Sequence, residues 1–352
     1  MKIGILTFHW ATNYGAVLQT YALQSFLENE GHEVVVINYK PSKYNDSILN
    51  IIYSRRFLHP SHLIEEIRKE KSLSHFRNQH LHQTTRILKI ESICNVTNDL
   101  DVIISGSDQV MNPYFLLSGE GKNTLTPTYF LGFPYDGKRI GYALSFGCTV
   151  YPEKAKKIAS NYIKKFNALS VREKTGIDIL HSIGNTKAII VPDPTLLQPK
   201  SFYHKLISIN NTSRLYIYCF FIRNKKQRRK DIMPILAFKN IQWNNDDGDY
   251  SMQGWLKKIQ NSKYVITDSF HCVVMCLKFH TPFCVITEEE GNIGMNDRFY
   301  TLLSNLGLEE SIVYKKNINK DILNMRPNWP LIDQKLEDLA EVGYNYLRKT
   351  II

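Results

Sequence analysis

Apolar positions in the first part of the chain alternate between short continuous runs and segments of helical spacing. Residues Lys2–Thr7 form an apolar run that predicts a strand. Gly15–Glu30 then carries apolar side chains at helical spacing, and Gly31 follows as a helix stop before a second strand over Glu33–Tyr39. This order of strand, helix and strand predicts parallel pairing through a right-handed crossover.

The same alternation continues to about residue 200. Residues 40–80 predict a loop followed by a basic helix rich in histidine. Beyond them, the pattern predicts strands at Asp101–Ser105, Lys138–Leu144, Ala168–Val171 and Lys187–Val191, and helices at Pro152–Phe166 and Glu173–Ser182.

A domain junction is predicted between Pro199 and Ser213, where the chain is polar and has little periodicity. The second half then repeats the alternation, and its last predicted helix, from about Leu331 to Lys349, is long enough to reach back to the first domain. The predicted strands of this half are Leu215–Phe221, Tyr264–Thr267 and Pro282–Ile286.

These elements predict an α/β protein with two Rossmann-like domains and a cleft between them. We place the first domain at residues 1–200 and the second at 213–325, with 326–352 as a C-terminal helix that packs back on the first. Ligands of such sheets bind beyond the carboxyl ends of the strands. The polar clusters that carry candidate chemistry all follow predicted strands.

Composition agrees with a globular protein of the cytoplasm. Of the 352 residues, 43% are hydrophobic and 22% charged, and no apolar run approaches the roughly 18 residues that span a membrane. The first apolar run leads into no cleavage site, so we expect a strand there and no signal peptide. The six cysteines form no Cys-x-x-Cys pair, which indicates buried free thiols in a reducing compartment.

The net charge of +11 raises the question of nucleic acid. No RNA-recognition pattern and no zinc-finger spacing accompany it, so we expect no nucleic-acid partner. The sharpest basic run is Arg223–Lys230. It fits a solvated helix face, and it equally fits attraction to an anionic membrane surface or a pyrophosphate-bearing acceptor.

The segment Asp268-Ser269-Phe270-His271 is the most informative one chemically. It follows an apolar run and precedes another, so His271 is predicted at a helix N-terminus on the carboxyl edge of a sheet. Free N–H groups and the helix dipole favour an anion there, and a titratable imidazole beside an anion is a catalytic arrangement. The alternative is a histidine that only caps the helix. Cys272 and Cys276 near it lack a second ligand pair at zinc spacing, so no metal is expected.

The loop after the first strand enters its helix through Asn13-Tyr14-Gly15. Such a sequence permits a tight turn and close approach of the backbone to a ligand. The loop has neither the dinucleotide fingerprint nor a P-loop. A contact with an acceptor or a phosphate is one interpretation, and a plain connection is the other.

Three further clusters follow predicted strands. Asp108, in Gly106-Ser107-Asp108-Gln109, can accept hydrogen bonds from sugar hydroxyls or cap the next turn. Arg172 can grip a carboxylate or phosphate, or form a structural salt bridge with Glu173 or another acid. Arg298 is predicted to open a helix, where its charge opposes the dipole unless an anion lies nearby.

With these motifs in order, the chain resembles the polysaccharide pyruvyl transferase family over nearly its whole length. The segments that carry the resemblance are Lys2–Gln24, Gly106–Gln109, Tyr142–Gly147, Ser170–Glu173, Pro192–Leu196, Asp268–His271 and Asn296–Arg298. Each motif alone is weak, and their shared order makes the resemblance specific.

The resemblance implies a two-domain fold like that of GT-B glycosyltransferases. It also implies a reaction in which phosphoenolpyruvate donates its pyruvyl carbons to two hydroxyls of a sugar, forming a ketal and releasing phosphate. In this family a donor-binding arginine falls on Arg172 and the proposed acid–base histidine on His271. The loop with Ser145 and Phe146 is expected to line the donor pocket.

Two positions depart from the family pattern. Better-studied members often have an arginine where this chain has Ser269, and Arg298 is our candidate replacement on the donor side. Many relatives have a glycine where Cys272 stands. We expect the acceptor to be oriented by the two groups nearest the first strands, namely Asn13, Tyr14 and Gly15 together with Ser107, Asp108 and Gln109.

The expected partners follow from the same resemblance. Phosphoenolpyruvate acts as co-substrate with no further cofactor, and the acceptor is expected to be a lipid-linked capsule or exopolysaccharide precursor at the cytoplasmic face of the membrane. Two alternatives stay open from the residues: a nucleotide-sugar glycosyltransferase on the same frame, and a non-enzymatic binding module for anionic glycans or nucleic acid.

Overall fold

The computed structural model describes residues 1–41, 44, 60–114, 127–207, 216–238, 243–244, 248–287 and 293–352. The chain divides into two compact units. Unit 1 contains Met1–Leu197 and Val342–Ile352, and unit 2 contains Gln198–Glu341. The sequence placed the junction at Pro199–Ser213 and grouped residues 326–341 with a separate C-terminal segment, whereas the division assigns those residues to unit 2.

The strands of the described residues are β1 Lys2–Leu6, β2 Glu33–Val36, β3 Val102–Asp108, β4 Lys138–Leu144, β5 Ala168–Val171, β6 Ile189–Ile190, β7 Tyr216–Phe220, β8 Trp243–Asn244, β9 Ser262–Thr267, β10 Phe283–Thr287 and β11 Ile312–Tyr314. Their helices are α1 Tyr14–Asn29, α2 Pro60–His80, α3 Cys94–Thr97, α4 Glu153–Ile163, α5 Lys174–Ser182, α6 Pro194–Leu197, α7 Lys200–His204, α8 Lys225–Phe238, α9 Met252–Gln260, α10 Phe270–Phe279, α11 Ile293–Leu306 and α12 Trp329–Ile351. Short 3₁₀ turns complete the list at Ile90–Ser92, Thr128–Phe130, Glu309–Ser311, Lys315–Asn317 and Lys320–Leu323.

Unit 1 is built on a six-stranded parallel sheet in the order β2-β1-β3-β4-β5-β6. Its central strands are buried on both faces, which is why they are continuous apolar runs in the sequence. Gly31 ends α1 as predicted, with φ 85° that suits glycine.

The last part of α12 belongs to the core of unit 1. Tyr346, Leu347 and Ile351 are buried in one cluster with residues of β1, β3 and β4. Tyr344 stacks on Phe26 of α1 with ring centroids 5.0 Å apart, and Arg348 pairs with Glu30 at 2.7 Å. The C-terminal residues are therefore fixed by aromatic, apolar and ionic contacts on one side of the sheet.

Unit 2 has a five-stranded sheet in the order β11-β10-β9-β7-β8, and its pairs are also parallel. The helix α10, buried along its whole length, follows β9 directly. This explains why Val273–Leu277 lacks polar positions, since no face of the helix meets water.

Both sheets have the same topology. In each one the second strand in sequence lies on one side of the first, and the third strand lies on the other side. The strand order therefore reverses between β1 and β3 in unit 1 and between β7 and β9 in unit 2. In open α/β sheets this reversal opens a crevice at the carboxyl ends of the two strands, where ligands bind.

The sequence predicted most of these elements, and the structure corrects several bounds. β4 and β5 match their predicted ranges, but β3 runs on through Asp108, so Gly106-Ser107-Asp108 is strand and not loop. The short strands β8 and β11 were missed because a few residues carry no period. Residues 42–43 and 45–59 of the predicted segment 40–80 lie outside the described part of the chain. The same holds for residues 208–215, which include part of the predicted domain junction and the first residue of the strand predicted after it.

Arg298 does not open a helix. It is the sixth residue of α11, which starts at Ile293, so the predicted conflict with the helix dipole is wrong. No helix among the described residues is both long and apolar enough to cross a membrane.

Candidate functional site

The carboxyl edge of unit 2 is organised by Asp268, which follows β9. Its two carboxylate oxygens accept hydrogen bonds from the backbone N–H groups of Ile222 and Arg223 at 2.7 and 3.1 Å. These residues follow β7, so one side chain joins the loops on both sides of the strand reversal. Burial raises the pKa of Asp268, and the two N–H groups offset part of that effect.

Ser269 and His271 begin α10 at this edge. The Ser269 hydroxyl accepts from the backbone N–H of Cys272 at 3.4 Å and caps the helix, while its own N–H donates to the Thr267 hydroxyl at 3.0 Å. His271 therefore lies in the first turn of the helix, as predicted. It is 6% exposed, and the cap is supplied by Ser269. The alternative role of His271 as the side-chain cap is wrong.

The ring of Phe270 contacts both His271 and Arg298 at the start of α10. The Phe270 and His271 rings meet edge to face with centroids 5.4 Å apart. The Arg298 guanidinium carbon lies 5.7 Å from the centroid of Phe270 and 5.3 Å from that of Phe299. Cation–π attraction thus holds an arginine of α11 against the aromatic ring that also contacts the histidine.

The basic run 223–230 has two kinds of residue. Arg223, Lys226 and Lys230 are exposed, but Arg228 is only 2% exposed. The positive charge of Arg228 offsets part of the rise that burial causes in the pKa of the half-buried Asp268. The interpretation as a solvated face is therefore correct only for part of the run, because α8 directs one arginine toward the carboxyl edge of the sheet.

In unit 1, Arg172 is the centre of a buried ionic network. Its Nη1 donates to the Asp193 carboxylate at 2.7 Å, with Glu173 at 3.7 Å and Asp108 at 4.0 Å from other guanidinium nitrogens. The Arg172 side chain is 2% exposed and that of Asp193 is 0% exposed. Burial alone lowers the pKa of Arg172, but the three carboxylates outweigh it and raise the pKa overall.

This geometry contains the salt bridge that the sequence analysis left as an alternative, with Asp193 as the nearest acid and not Glu173. Asp193 also accepts from the Ser107 hydroxyl at 2.8 Å and from the Thr195 hydroxyl at 2.6 Å. The sequence contained Asp193 in the Pro192–Leu196 motif, but nothing in its spacing marked it as the partner of Arg172. Donor binding by Arg172 stays a prediction.

Glu173 connects this network to the loop after β4. Its Oε1 accepts the backbone N–H of Phe146 at 3.0 Å. The Phe146 ring is 0% exposed and packs edge to face on Tyr151. Ser145 is 1% exposed and its backbone pairs with Asp108 and Met111. The Phe146 ring is therefore part of the core, and the expectation that the loop with Ser145 and Phe146 lines the donor pocket stays a prediction.

The backbone at the ends of β3 and β4 is held in an unusual conformation. Asp108 has φ 70° and Ala143 has φ 48°, in the left-handed region that non-glycine residues seldom adopt. The Gln109 N–H donates to the Asp108 carboxylate at 2.9 Å, and the Ala143 N–H donates to the Ser170 hydroxyl at 3.1 Å. Backbone strain of this kind concentrates at functional sites.

The loop after β1 carries the other predicted acceptor residues. The Asn13 side-chain oxygen caps α1 by accepting the N–H of Gly15 at 2.9 Å, and Lys69 of α2 lies over the Tyr14 ring at 4.3 Å. Asn13 is half-buried, while Tyr14 and Gly15 are buried. The side chain of Asn13 thus has a structural contact, and the acceptor role of this loop stays a prediction.

His9 lies in the same loop and was not recognised from the sequence as a special residue. It is 1% exposed, and its ring nitrogens lie 3.3 Å from the Thr7 carbonyl and 3.2 Å from the Asn38 side-chain oxygen. Burial lowers the pKa of His9 to about 4, against the smaller raising effect of these hydrogen bonds. A neutral imidazole is therefore part of this loop at neutral pH.

The predicted residues fall into groups within each unit. In unit 1 the structure brings Ser107, Asp108 and Arg172 into one network, and Asn13 caps the neighbouring helix. In unit 2 it brings Ser269, His271 and Arg298 around Phe270. Within the described ranges, no group of three or more His, Cys, Asp or Glu is placed to hold a metal ion.

Comparison with known proteins now places the chain in a family. The profile of the family described as Polysaccharide pyruvyl transferase matches residues 13–290, so the chain belongs to the polysaccharide pyruvyl transferase family. The matched range contains Arg172 and His271 but ends before Arg298, and it confirms the resemblance that the motifs indicated. No curated protein matches the chain.

One solved structure supports the fold, and a second is similar at a lower score. A protein from Listeria monocytogenes assigned as a UDP-N-acetylglucosamine 2-epimerase is 10% identical, with a TM-score of 0.50 over 97% of this chain and 90% of that chain. The heptosyltransferase WaaC of E. coli is 11% identical, with a TM-score of 0.41 over 96% of this chain and 100% of that chain. The predicted class of two Rossmann-like α/β domains of the GT-B type is confirmed.

Proposed function

We propose that this protein transfers the pyruvyl group of phosphoenolpyruvate to two hydroxyls of a sugar in a polysaccharide precursor. The family gives the class of reaction, and the enolic donor and ketal product are our inference. The observation that carries the proposal is the position of His271, in the first turn of α10 at the carboxyl edge of β9. A titratable ring stands there where N–H groups and the helix dipole favour an anionic donor.

The reaction requires an acid and then a base. A proton adds to the methylene carbon of phosphoenolpyruvate, and positive charge develops at the carbon that becomes the ketal centre. One sugar hydroxyl forms a bond to that carbon, and the second displaces phosphate. The sugar hydroxyls lose two protons in total. One of them replaces the proton that was added to form the methyl group, and the other leaves with the phosphate. We assign the proton transfers to His271, because imidazole exchanges protons near neutral pH.

The donor also needs a cation, and Arg298 is our first candidate. Ser269 occupies the position where better-studied members of the family have an arginine, and in this chain that serine caps α10. Arg298 lies on the Phe270 ring, which also contacts His271. A guanidinium held in this way can pair with the carboxylate or phosphate of the donor through two hydrogen bonds.

Arg172 receives a different role from its geometry. Its closest partner is Asp193, and its network reaches Glu173, which binds the backbone of the loop that carries Ser145. We propose that Arg172 acts as a positioning residue for this loop and for Asp108. Asp108 and the Asn13–Gly15 loop are proposed to orient the sugar, because their strands flank the reversal of strand order in unit 1.

The function is tested by incubating the full chain with phosphoenolpyruvate and a panel of lipid-linked galactosides, glucosides and mannosides. We expect release of inorganic phosphate together with a pyruvyl mass increase of one acceptor. Phosphate release without a modified acceptor would contradict ketal formation. A nucleotide-sugar panel run in parallel tests the glycosyltransferase alternative, which predicts a glycosylated acceptor and no use of phosphoenolpyruvate.

A further inference from the structure

A surface cavity in unit 1 lies away from the strand ends discussed so far. Its volume is about 640 Å³, within the range of cavities that bind small ligands. It is lined by Asn167 and Leu169 at the start of β5, by Lys187 and Ile189 before and in β6, and by the last turns of α12. The amino end of β5 is opposite to its carboxyl edge, so this cavity is separate from the Arg172 network.

The walls of the cavity are held by hydrogen bonds. The Asn185 side-chain oxygen accepts the backbone N–H groups of Lys187 and Ala188, each at 3.1 Å, and fixes the turn before β6. The Asn167 side-chain oxygen accepts the N–H of Arg139 at 2.8 Å. On α12, the Tyr346 hydroxyl donates to the Gly141 carbonyl at 2.9 Å. All three walls are therefore tied to the sheet of unit 1.

The lining combines positive charge with apolar surface. Lys187 and Lys349 are exposed, and no Asp or Glu is among the lining residues. Ile189 and Val342 line the same cavity and are 45% and 43% exposed. Lysine amines attract an anion, and exposed aliphatic side chains beside them favour a ligand that also carries apolar groups.

We propose that this cavity binds a saccharide that carries a carboxylate, and specifically the pyruvyl-ketal sugar that the proposed function would produce. The inference rests on that proposed function for the choice of ligand. A pyruvyl ketal bears a carboxylate and a methyl group on one carbon. Lys187 and Lys349 provide charge for the carboxylate, Ile189 and Val342 contact the methyl group, and the asparagine amides meet the sugar hydroxyls.

Such a site holds a pyruvylated part of the glycan away from the carboxyl edges of the strands. Because each transfer adds one negative charge to the glycan, the ligand recognised here differs from the unmodified acceptor by a full charge. Discrimination between the two is then electrostatic and weakens as salt screens it.

The test measures binding without catalysis. The probe is methyl 4,6-O-(1-carboxyethylidene)-galactopyranoside, titrated into the full chain by calorimetry and compared with methyl galactopyranoside. Lys187→Ala/Lys349→Ala is expected to weaken binding of the ketal at least about tenfold, since each amine forms a charge-assisted contact. The matched control is Lys154→Ala/Lys157→Ala, two exposed lysines of α4, which should retain wild-type affinity.

The outcomes separate this site from the proposed reaction. Equal affinity for the ketal and the neutral parent, equal loss in the control variant, or no binding to the wild type would overturn the site. Ketal binding that depends on Lys187 and Lys349, in a protein that does not use phosphoenolpyruvate, would support the site and contradict the proposed reaction. Pyruvyl transfer by a protein whose ketal binding is unchanged in Lys187→Ala/Lys349→Ala would support the proposed reaction and overturn the site.

Discussion

The carboxyl edges of the two sheets have the same topology and different chemistry. In unit 1 the charged groups at the edge form one buried network, in which the single guanidinium of Arg172 lies among the carboxylates of Asp193, Glu173 and Asp108 with its side chain 2% exposed. In unit 2 the carboxylate of Asp268 binds backbone N–H groups, and His271 stands in the first turn of a helix.

The difference shows that a shared strand reversal provides a place for a site but not its role. A buried ion network gives rigidity, because each member loses a partner when another moves. In unit 2 the helix is capped by Ser269 and not by His271. The imidazole of His271 can therefore exchange a proton while the cap of its helix stays in place. We therefore expect substitutions at the edge of unit 1 to lower mainly the free energy of unfolding. Substitutions at the edge of unit 2 should lower mainly the rate of pyruvyl transfer.

The largest expected effect is on rate in unit 2. His271→Ala should lower kcat for pyruvyl transfer by about 10²–10⁴-fold, because it removes the proposed acid–base group. The control is His280→Asn at the other end of α10, where φ is 52° and asparagine is tolerated. Phosphate release is measured for both, with circular dichroism to verify the fold. Turnover of His271→Ala at the wild-type rate would refute the assignment.

The next effect is on stability in unit 1. Asp193→Ala should lower the free energy of unfolding by about 3–5 kcal/mol, because it leaves a buried guanidinium without its nearest partner. Glu153→Ala, which breaks an exposed pair with Lys156, should change it by less than about 1 kcal/mol. Urea unfolding measures both. Asp193→Asn, which keeps the side-chain oxygen near Ser107 and Thr195 but removes the charge beside Arg172, should still lose most of this stability, and wild-type stability in Asp193→Asn would contradict the ionic explanation.

A pH effect should also come from unit 1. The folded pKa of His9, about 4, lies below its unfolded value of 6.5, so the unfolded chain binds more protons between these values. Stability is therefore expected to fall as pH drops from 6.5 to 4, by roughly 3 kcal/mol from this residue.

His9→Gln should remove that part of the pH dependence, since glutamine does not titrate and can still contact Asn38. The exposed His75→Gln serves as control. The measurement is urea unfolding at several pH values, and an unchanged slope in His9→Gln would show that other groups cause the dependence.

The smallest effect compares the caps of two helices at the edges. Ser269→Ala and Asn13→Ala should each cost about 0.5–2 kcal/mol of stability. Ser269→Asp separates capping from donor binding, because aspartate is a good cap but adds a negative charge. If the donor binds at the N-terminus of α10, the Ser269→Asp variant should have a higher KM for phosphoenolpyruvate and the stability of the wild type. An unchanged KM would place the donor elsewhere.

Sequence patterns predicted the elements that carry strong periodicity. Buried parallel strands such as β4 and β5 are continuous apolar runs, and α1 ends at its glycine, so these bounds were found closely. The pattern gave a wrong start for the helix of Arg298, because Asn296 and Asp297 directly before that arginine are residues of the kind that cap helices, whereas the helix already begins at Ile293. The two short strands β8 and β11 have too few residues to show a period.

The site was predicted in part for the same reason. His271 was found because a polar residue follows an apolar run at the point where strand becomes helix. The partner of Arg172 was not found, because Asp193 is 21 residues away and follows a different strand. The core position of Phe146 was also missed, since an aromatic residue in a loop fits a pocket and an interior equally well.

By itself, the amino-acid sequence determined the alternation of strands and helices, the type of both domains and the family, because these depend on local periodicity and on motifs in order. Only the tertiary structure decided which carboxylate lies nearest to Arg172, which ring Arg298 contacts and that Lys187 and Lys349 line one cavity. Those contacts join residues far apart in the chain, and their energies depend on burial and distance, which no local pattern records.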